Sequence, residues 1–245
     1  NLRYLEFLIL PRSFGPALSQ LLPLVPQVEQ LFVEFGSASR YVSEAQVARD
    51  GFLTSIAKLS RLKALRLSRL GDEDTVPFTR MMKELRNRLE YLDVQTFVSA
   101  IARSLSGILT EGDSKLCVLN FKAGFADVDV IESLQLSRLP KLKELHSCIF
   151  SDAGLNRFSS QIRTNCCPLR VLELWLPYDH VLLSQFFESL CFIRLHTLEL
   201  FGLAWTSVHC SELLRSGLLE CGWLVEIKRL KEFKNRGGAT EIQRV

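Results

Sequence analysis

An apolar phrase of the form L-x-x-L-x-L recurs along this 245-residue chain and limits its possible folds more than any other feature. Leu62-Leu65-Leu67 is one copy, and successive copies start 26, 34, 27, 27, 26, 27 and 26 residues apart. The eight copies begin at Leu2, Val28, Leu62, Leu89, Leu116, Leu142, Leu169 and Leu195. A fixed period of this length indicates a repeat architecture, in which no unit buries its apolar side alone. Leu224 and Ile227 open a degraded ninth copy.

Each unit carries two kinds of periodicity. Apolar residues alternate within the phrase, as at Leu65 and Leu67, which is typical of a short strand with one buried face. Helical spacing follows, for example at Phe78, Met82 and Leu85. The sequence therefore predicts an α/β fold in which strand–helix units stack, with parallel strands and one continuous core.

The pattern resembles the leucine-rich repeat family over nearly the whole chain, and the period of 26 to 27 resembles its cysteine-containing subclass, found in many F-box proteins. Residues 149–155 resemble that subclass's turn into its helix, with Ser151 or Asp152 placed to cap the helix. Cys166 and Cys221 each precede a phrase by three residues, as is common in the subclass. The ninth position of each phrase is never the usual Asn or Cys, so the backbone groups of that turn need other partners.

The resemblance implies a right-handed solenoid, a horseshoe of eight to nine strand–helix repeats with a concave parallel sheet. We expect this leucine-rich-repeat domain to span residues 1–225. Residues 226–245 carry several cations around Ile227, Leu230 and Phe233, which favours a C-terminal cap helix and tail over a basic ligand-binding arm. The long second spacing holds about seven extra residues near Gly36 to Arg40, and a tolerated surface loop is favoured there over a binding element.

Composition restricts the partners and the compartment. Thirty Lys and Arg against 27 Asp and Glu give a net charge of +3, too small a surplus to indicate a nucleic acid or an anionic membrane. Uncharged apolar runs are shorter than the roughly 18 residues of a membrane span. Seven cysteines without paired spacing favour a reducing, intracellular location, in the cytoplasm or the nucleus.

Short signatures of hydrolases, nucleotide-binding proteins and zinc peptidases are missing from the chain. The last third invites a zinc hypothesis through its thiols and imidazoles, Cys166, Cys167, His180, Cys191, His196, His209 and Cys210. Their spacing favours core cysteines over metal ligands. His146 and Cys148 share a strand face without an evident orienting carboxylate, which disfavours a nucleophilic pair. We therefore predict no catalytic residue, metal or cofactor; a metal-dependent enzyme is the rival hypothesis from a different class.

The outward strand positions form the informative surface, because an open sheet presents them as columns. Trp175 and Phe201 should lie about 5 Å apart on adjacent strands, beside Glu144, Glu173 and Glu199, with no matching Lys or Arg among these positions. This grouping suits a partner protein with a basic, partly apolar segment. Alternatively, the terminal helix or another part of a longer protein covers the aromatics. The predicted partner-binding residues are Tyr91, Glu144, His146, Glu173, Trp175, Glu199 and Phe201.

The sequence thus predicts a non-catalytic module that binds another protein on the concave face of its sheet. The resemblance to F-box proteins implies a substrate receptor of a ubiquitin ligase, joined to its adaptor through a segment upstream of Asn1. A scaffold subunit of a larger complex is the alternative. The identity of the partner stays open.

Overall fold

A computed structural model describes residues 2–10, 14–36, 43–96, 98–111, 114–123, 134–148, 151–164, 168–176, 183–201, 207–221 and 226–229. Nine strands in these ranges form one parallel sheet, in which the spatial order equals the chain order. The strands are β1 Tyr4–Leu10, β2 Gln30–Phe35, β3 Ala64–Leu70, β4 Tyr91–Thr96, β5 Val118–Ala123, β6 Glu144–Cys148, β7 Val171–Trp175, β8 Thr197–Phe201 and β9 Glu226–Arg229. The architecture is α/β and solenoid-like, as predicted.

An α-helix lies between each pair of successive strands in the described part of the chain, except between β5 and β6, where the described helical element is a 3-10 turn. The α-helices are α1 Gly15–Leu21, α2 Ser43–Ala57, α3 Thr75–Leu85, α4 Ser99–Thr110, α5 Asp152–Thr164, α6 Leu183–Leu190 and α7 Ser207–Arg215. Single 3-10 turns lie at Leu22–Leu24, Asp72–Asp74, Leu136–Arg138 and Leu218–Glu220. None of the described helices is long and apolar enough to cross a bilayer.

The leucines of the repeated phrase line up rung by rung across the sheet. Leu65 faces Leu92, which faces Leu119, and the column runs unbroken from Leu5 on β1 to Ile227 on β9. The column's leucines on β2 to β8 are fully buried and share one core with apolar helix residues such as Phe78 and Phe186. A fully buried leucine side chain contributes roughly 2 kcal/mol relative to an exposed one, so the column is a main source of stability.

Polar side chains complete the turns between strand and helix. Ser151 caps α5, because the Gly154 N–H donates to its Oγ at 2.9 Å, which confirms the predicted cap. After β4, Thr96 Oγ1 accepts from the Val98 N–H at 3.1 Å and donates to the Leu70 carbonyl at 3.1 Å. This buried threonine provides in one repeat the backbone partners that an Asn or Cys at the ninth position would have supplied.

The C-terminal prediction needs a correction. Glu226–Arg229 form strand β9, whereas the sequence analysis expected a cap helix to begin at residue 226. The reason is that Ile227 continues the leucine column and pairs with Leu198, while the backbone of β9 satisfies the edge of β8. The rest of the expected cap, residues 230–245, and the insertion at 37–40 lie outside the described residues. The right-handed winding, the horseshoe curvature and the division into two domains stay predictions.

Candidate protein-binding surface

The sheet face opposite the core, here called the platform, presents the side chains between the buried leucines. Its middle column follows the strand register from Glu6 on β1 to Lys228 on β9. The members between them are Phe32, Arg66, Asp93, Asn120, His146, Glu173 and Glu199. This is the column that the alternation of the sequence predicts. The predicted partner-binding residues of the platform fall into two groups in the structure.

Six of those residues lie together on β6 to β8, and we call them the C-terminal patch. They are Glu144, His146, Glu173, Trp175, Glu199 and Phe201. Trp175 is 43% exposed and is paired in register with Phe201, which is half-buried. The two rings make no aromatic contact among the described residues, so they form neighbouring apolar surfaces and not a stacked pair.

A histidine separates two of the patch carboxylates. His146 Nδ1 lies 2.6 Å from Glu173 Oε2, and its Nε2 lies 3.9 Å from Glu144 Oε2. The sequence predicts no Lys or Arg beside these glutamates, and the basic side chain that the structure places next to Glu173 is a histidine, because strand pairing sets residues 146 and 173 side by side. Glu199 is in turn the register partner of Lys228.

This arrangement also bears on the rejected nucleophile pair. Glu173 supplies the carboxylate that the sequence did not reveal beside His146. Both ring nitrogens face carboxylate oxygens, however, and Cys148 is buried although its column is an outward one. The imidazole is thus oriented between glutamates, where its role is to link neighbouring rungs.

Tyr91 belongs to a second group, here called the N-terminal cluster. The cluster comprises Tyr4, Phe32, Arg66, Tyr91 and Asp93, on β1 to β4. Phe32 lies 5.5 Å from the Tyr4 ring in an edge-on contact and 6.0 Å from the Tyr91 ring, and the Arg66 guanidinium sits 4.8 Å above its centroid. Tyr91 is therefore two strands away from the C-terminal patch, at about 5 Å per strand.

Asp93 fixes the cluster from below. It is 1% exposed, and its Oδ2 accepts from Arg66 Nε at 2.8 Å and lies 3.4 Å from the Tyr91 hydroxyl. Arg66 Nη2 also donates to that hydroxyl at 3.3 Å. Strand alternation alone directs Asp93 outward and does not predict the N-terminal cluster. The sequence does hold one signal for it: Phe32, Arg66 and Asp93 occupy the same position in three successive phrases.

The pKa values of two side chains in the cluster, Arg66 and Tyr4, are raised. Burial alone would lower the pKa of Arg66, but the bonds to Tyr91 and Asp93 outweigh it and raise that pKa. Arg66 is therefore a permanent cation. At the edge, Tyr4 donates a hydrogen bond to Glu6, and this bond, together with the nearby negative charge, raises the pKa of the tyrosine hydroxyl.

Thiols of the described residues form no disulfide and no metal-binding group. Cys117, Cys148, Cys191 and Cys221 are unbridged, and no group of three His, Cys, Asp or Glu side chains within the described ranges could hold a metal ion. Burial, followed by a hydrogen bond with Cys221, raises the pKa of Cys191 to about 12. Of the other residues in the zinc hypothesis, Cys166, Cys167 and His180 lie outside the described residues, as do the side chains of His209 and Cys210.

Comparisons with known proteins give matches among solved structures. The chain matches no protein-family model and no curated protein sequence. It is similar to a chain in the crystal structure of the Rad7 and Elc1 complex of yeast, with 19% sequence identity and a TM-score of 0.48. The match covers 88% of this chain and 60% of that chain.

Proposed function

We propose that this chain is a non-catalytic, leucine-rich-repeat protein-binding module that holds a partner protein on its platform, mainly through the C-terminal patch. The observation that carries the proposal is Trp175, a large apolar side chain left 43% exposed between half-buried Glu173 and Phe201. Trp residues are enriched among the few contacts that dominate binding energy. The glutamates around it favour a segment that is basic as well as partly apolar.

The rigidity of the sheet supports this function. Trp175 and Phe201 stand on paired strands whose alternate residues, Leu174 and Leu200, are buried in the core. The backbone that presents the patch is therefore fixed before binding, and the receptor loses little conformational freedom when a ligand docks. The His146 contact with Glu173 orients one carboxylate in the same way.

The first experiment finds the partner and its place. A photoreactive amino acid at position 175 should cross-link a partner in cells that express the chain, and the same group at Val76, which is exposed on α3, is the matched control. Purified partner should then bind the wild type but not the double variant Trp175→Ala with Glu199→Lys. Unaltered binding by that variant, or equal cross-linking at position 76, would dispose of the patch.

Two finer roles rest on the sequence. The resemblance of the repeats to those of F-box proteins supports a substrate receptor of a ubiquitin ligase, and a scaffold subunit is the second candidate. Depleting the chain should lengthen the lifetime of the cross-linked partner and reduce its ubiquitination if the chain is a receptor. An unchanged lifetime, together with loss of a larger assembly, would favour the scaffold.

A further inference from the structure

Basic side chains line one edge of the sheet, where the strands begin. Lys143 immediately precedes β6, Arg170 precedes β7 and His196 precedes β8. Lys141 and Arg194 lie two residues earlier in their turns, and all five side chains are exposed. Because parallel strands start at the same edge of a sheet, these five residues form one line, which we call the basic rim.

Backbone hydrogen bonds fix the rim as firmly as the strands themselves. The Arg170 N–H donates to the Lys143 carbonyl at 2.7 Å, and the His196 N–H donates to the Arg170 carbonyl at 2.8 Å. Neighbouring rungs are therefore about 5 Å apart. Arg170 Nη1 also lies 3.2 Å from His196 Nε2, so side chains of the rim contact each other along the edge.

Within the described ranges, no carboxylate forms an ion pair with these cations, and Glu144, the residue after Lys143, lies near His146 on the platform. Lys141, Lys143, Arg170 and Arg194 form no ion pair with any residue in the described ranges. The same edge differs at the earlier strands. There a shallow cavity of about 350 Å³ is lined by Arg61, Lys63, Arg88 and Lys115 but also by Glu29 and Glu90. Two carboxylates thus lie among the cations at the earlier strands, whereas the described cations beside the C-terminal patch have no ion pair with a described residue.

The neighbouring acids decide what kind of polyanion fits. Glu173 and Glu199 lie three residues beyond Arg170 and His196, which is about 10 Å along an extended strand. A nucleic acid duplex is wider than this distance, so its phosphates would lie against the carboxylates. Single-stranded nucleic acid is usually held by a series of aromatic side chains, one for each stacked base. The five rim positions hold none, and exposed Phe192, two residues before Arg194, is a single ring beside them. An extended acidic peptide is narrow enough to follow the rim alone.

We infer that the basic rim at the start of β6 to β8 is a second binding surface, which takes an extended acidic segment of a partner protein. This goes beyond the platform function, because it needs neither Trp175 nor the glutamates. Charge complementarity carries the assignment: four exposed cations without ion pairs in the described ranges, Lys141, Lys143, Arg170 and Arg194, lie along the edge and can face the carboxylates of Asp and Glu side chains.

A fluorescent peptide of about ten glutamates is the probe, titrated with the whole chain at about 20 mM ionic strength, where the Debye length is long. Lys143→Glu with Arg170→Glu should weaken binding by about tenfold or more. Arg103→Glu with Arg157→Glu is the control, since it changes the net charge equally on exposed positions of α4 and α5 and should weaken binding less than about twofold. If charge reversal impairs folding, the neutral double variant Lys143→Gln with Arg170→Gln takes its place. It removes the same two charges and should also weaken binding of the peptide.

Three results would overturn the inference. They are no binding of the peptide to the wild type, equal losses in the rim and control variants, and tighter binding of an oligothymidylate with the same charge. The Trp175→Ala and Glu199→Lys variant should retain the peptide, so failure of the platform function and failure of the rim are distinguishable. Retained affinity in that variant and lost affinity in the rim variant would establish two separate surfaces.

Discussion

Arg66 on β3 and Asp93 on β4 are joined by a hydrogen bond of 2.8 Å between Nε and Oδ2, and the carboxylate lies beneath the guanidinium, out of contact with water. The arginine side chain itself is 39% exposed and covers the Phe32 ring. One residue therefore serves both as the partner of a buried charge and as part of the platform surface. The N-terminal cluster depends on this pair.

Removing Arg66 should destabilise the protein strongly. Arg66→Ala leaves the Asp93 carboxylate buried with only the Tyr91 hydroxyl near it, and breaking such a pair costs about 3 kcal/mol. Urea unfolding of both proteins measures the difference. Arg69→Ala is the control, because the Arg69 pair with Glu34, at 3.3 Å, is exposed and should be worth less than about 1 kcal/mol. Equal effects of the two variants would contradict the buried role of Asp93.

Ser151 should be a true helix cap. Ser151→Ala removes the acceptor of the Gly154 N–H and should cost about 1 kcal/mol of unfolding free energy. Ser160→Ala is the matched control on the same helix, where the hydroxyl only bonds back to the Asn156 carbonyl at an exposed position. That control should change stability by less than about 0.5 kcal/mol. A cost for position 160 as large as that for 151 would count against the cap.

Adjacent residues of β7 should differ sharply in their effect on stability. Leu174 is fully buried, so Leu174→Ala should cost about 3 kcal/mol and lower the thermal midpoint by several degrees. Trp175→Ala should leave that midpoint nearly unchanged, because the ring stands on the open face. Differential scanning calorimetry compares the two. A large loss for Trp175→Ala would mean that another part of the protein covers the platform, the alternative that the sequence analysis left open.

Alkaline pH should destabilise the protein through ionisation of Cys191. Its folded pKa of about 12 lies above the ordinary value of 9.0, so the thiol ionises more readily in the unfolded chain. Its contribution to stability is fully present below about pH 9 and is lost as the pH rises from about 9 to about 12. Between about pH 8 and about pH 10, the unfolding midpoint should therefore fall further for the wild type than for Cys191→Ala. An identical fall in both proteins would show that another group is responsible.

The fold could be predicted from the sequence because one signal is repeated many times. A register error of one residue would move every phrase leucine to the wrong face, so Leu65, Leu119 and Leu172 together fix the sheet. Glu226–Arg229 were harder to predict. Ile227 belongs to a ninth copy of the phrase, which indicates a strand, whereas the cations around it resemble the polar surface of a cap helix; the pairing of Ile227 with Leu198 decides for the strand.

The site could be predicted only in part, because strand alternation gives the direction of a side chain but not its neighbours. Alternation placed Asp93 and Cys148 outward, whereas Arg66 and Tyr91 cover Asp93 and the structure buries Cys148 as well. The contact of His146 with Glu173 depends on side-chain rotamers across two rungs, which spacing alone does not determine.

Strands β1 to β9 are hydrogen-bonded only to the strands just before and just after them in the chain. The N-terminal cluster ends at β4 and the C-terminal patch begins at β6, so no strand belongs to both. Amino-acid changes on β6 to β8 can therefore alter what the chain recognises while the contacts of Arg66 and Asp93 at the other end stay intact. Binding specificity can change in such a chain without loss of the stability that its first strands provide.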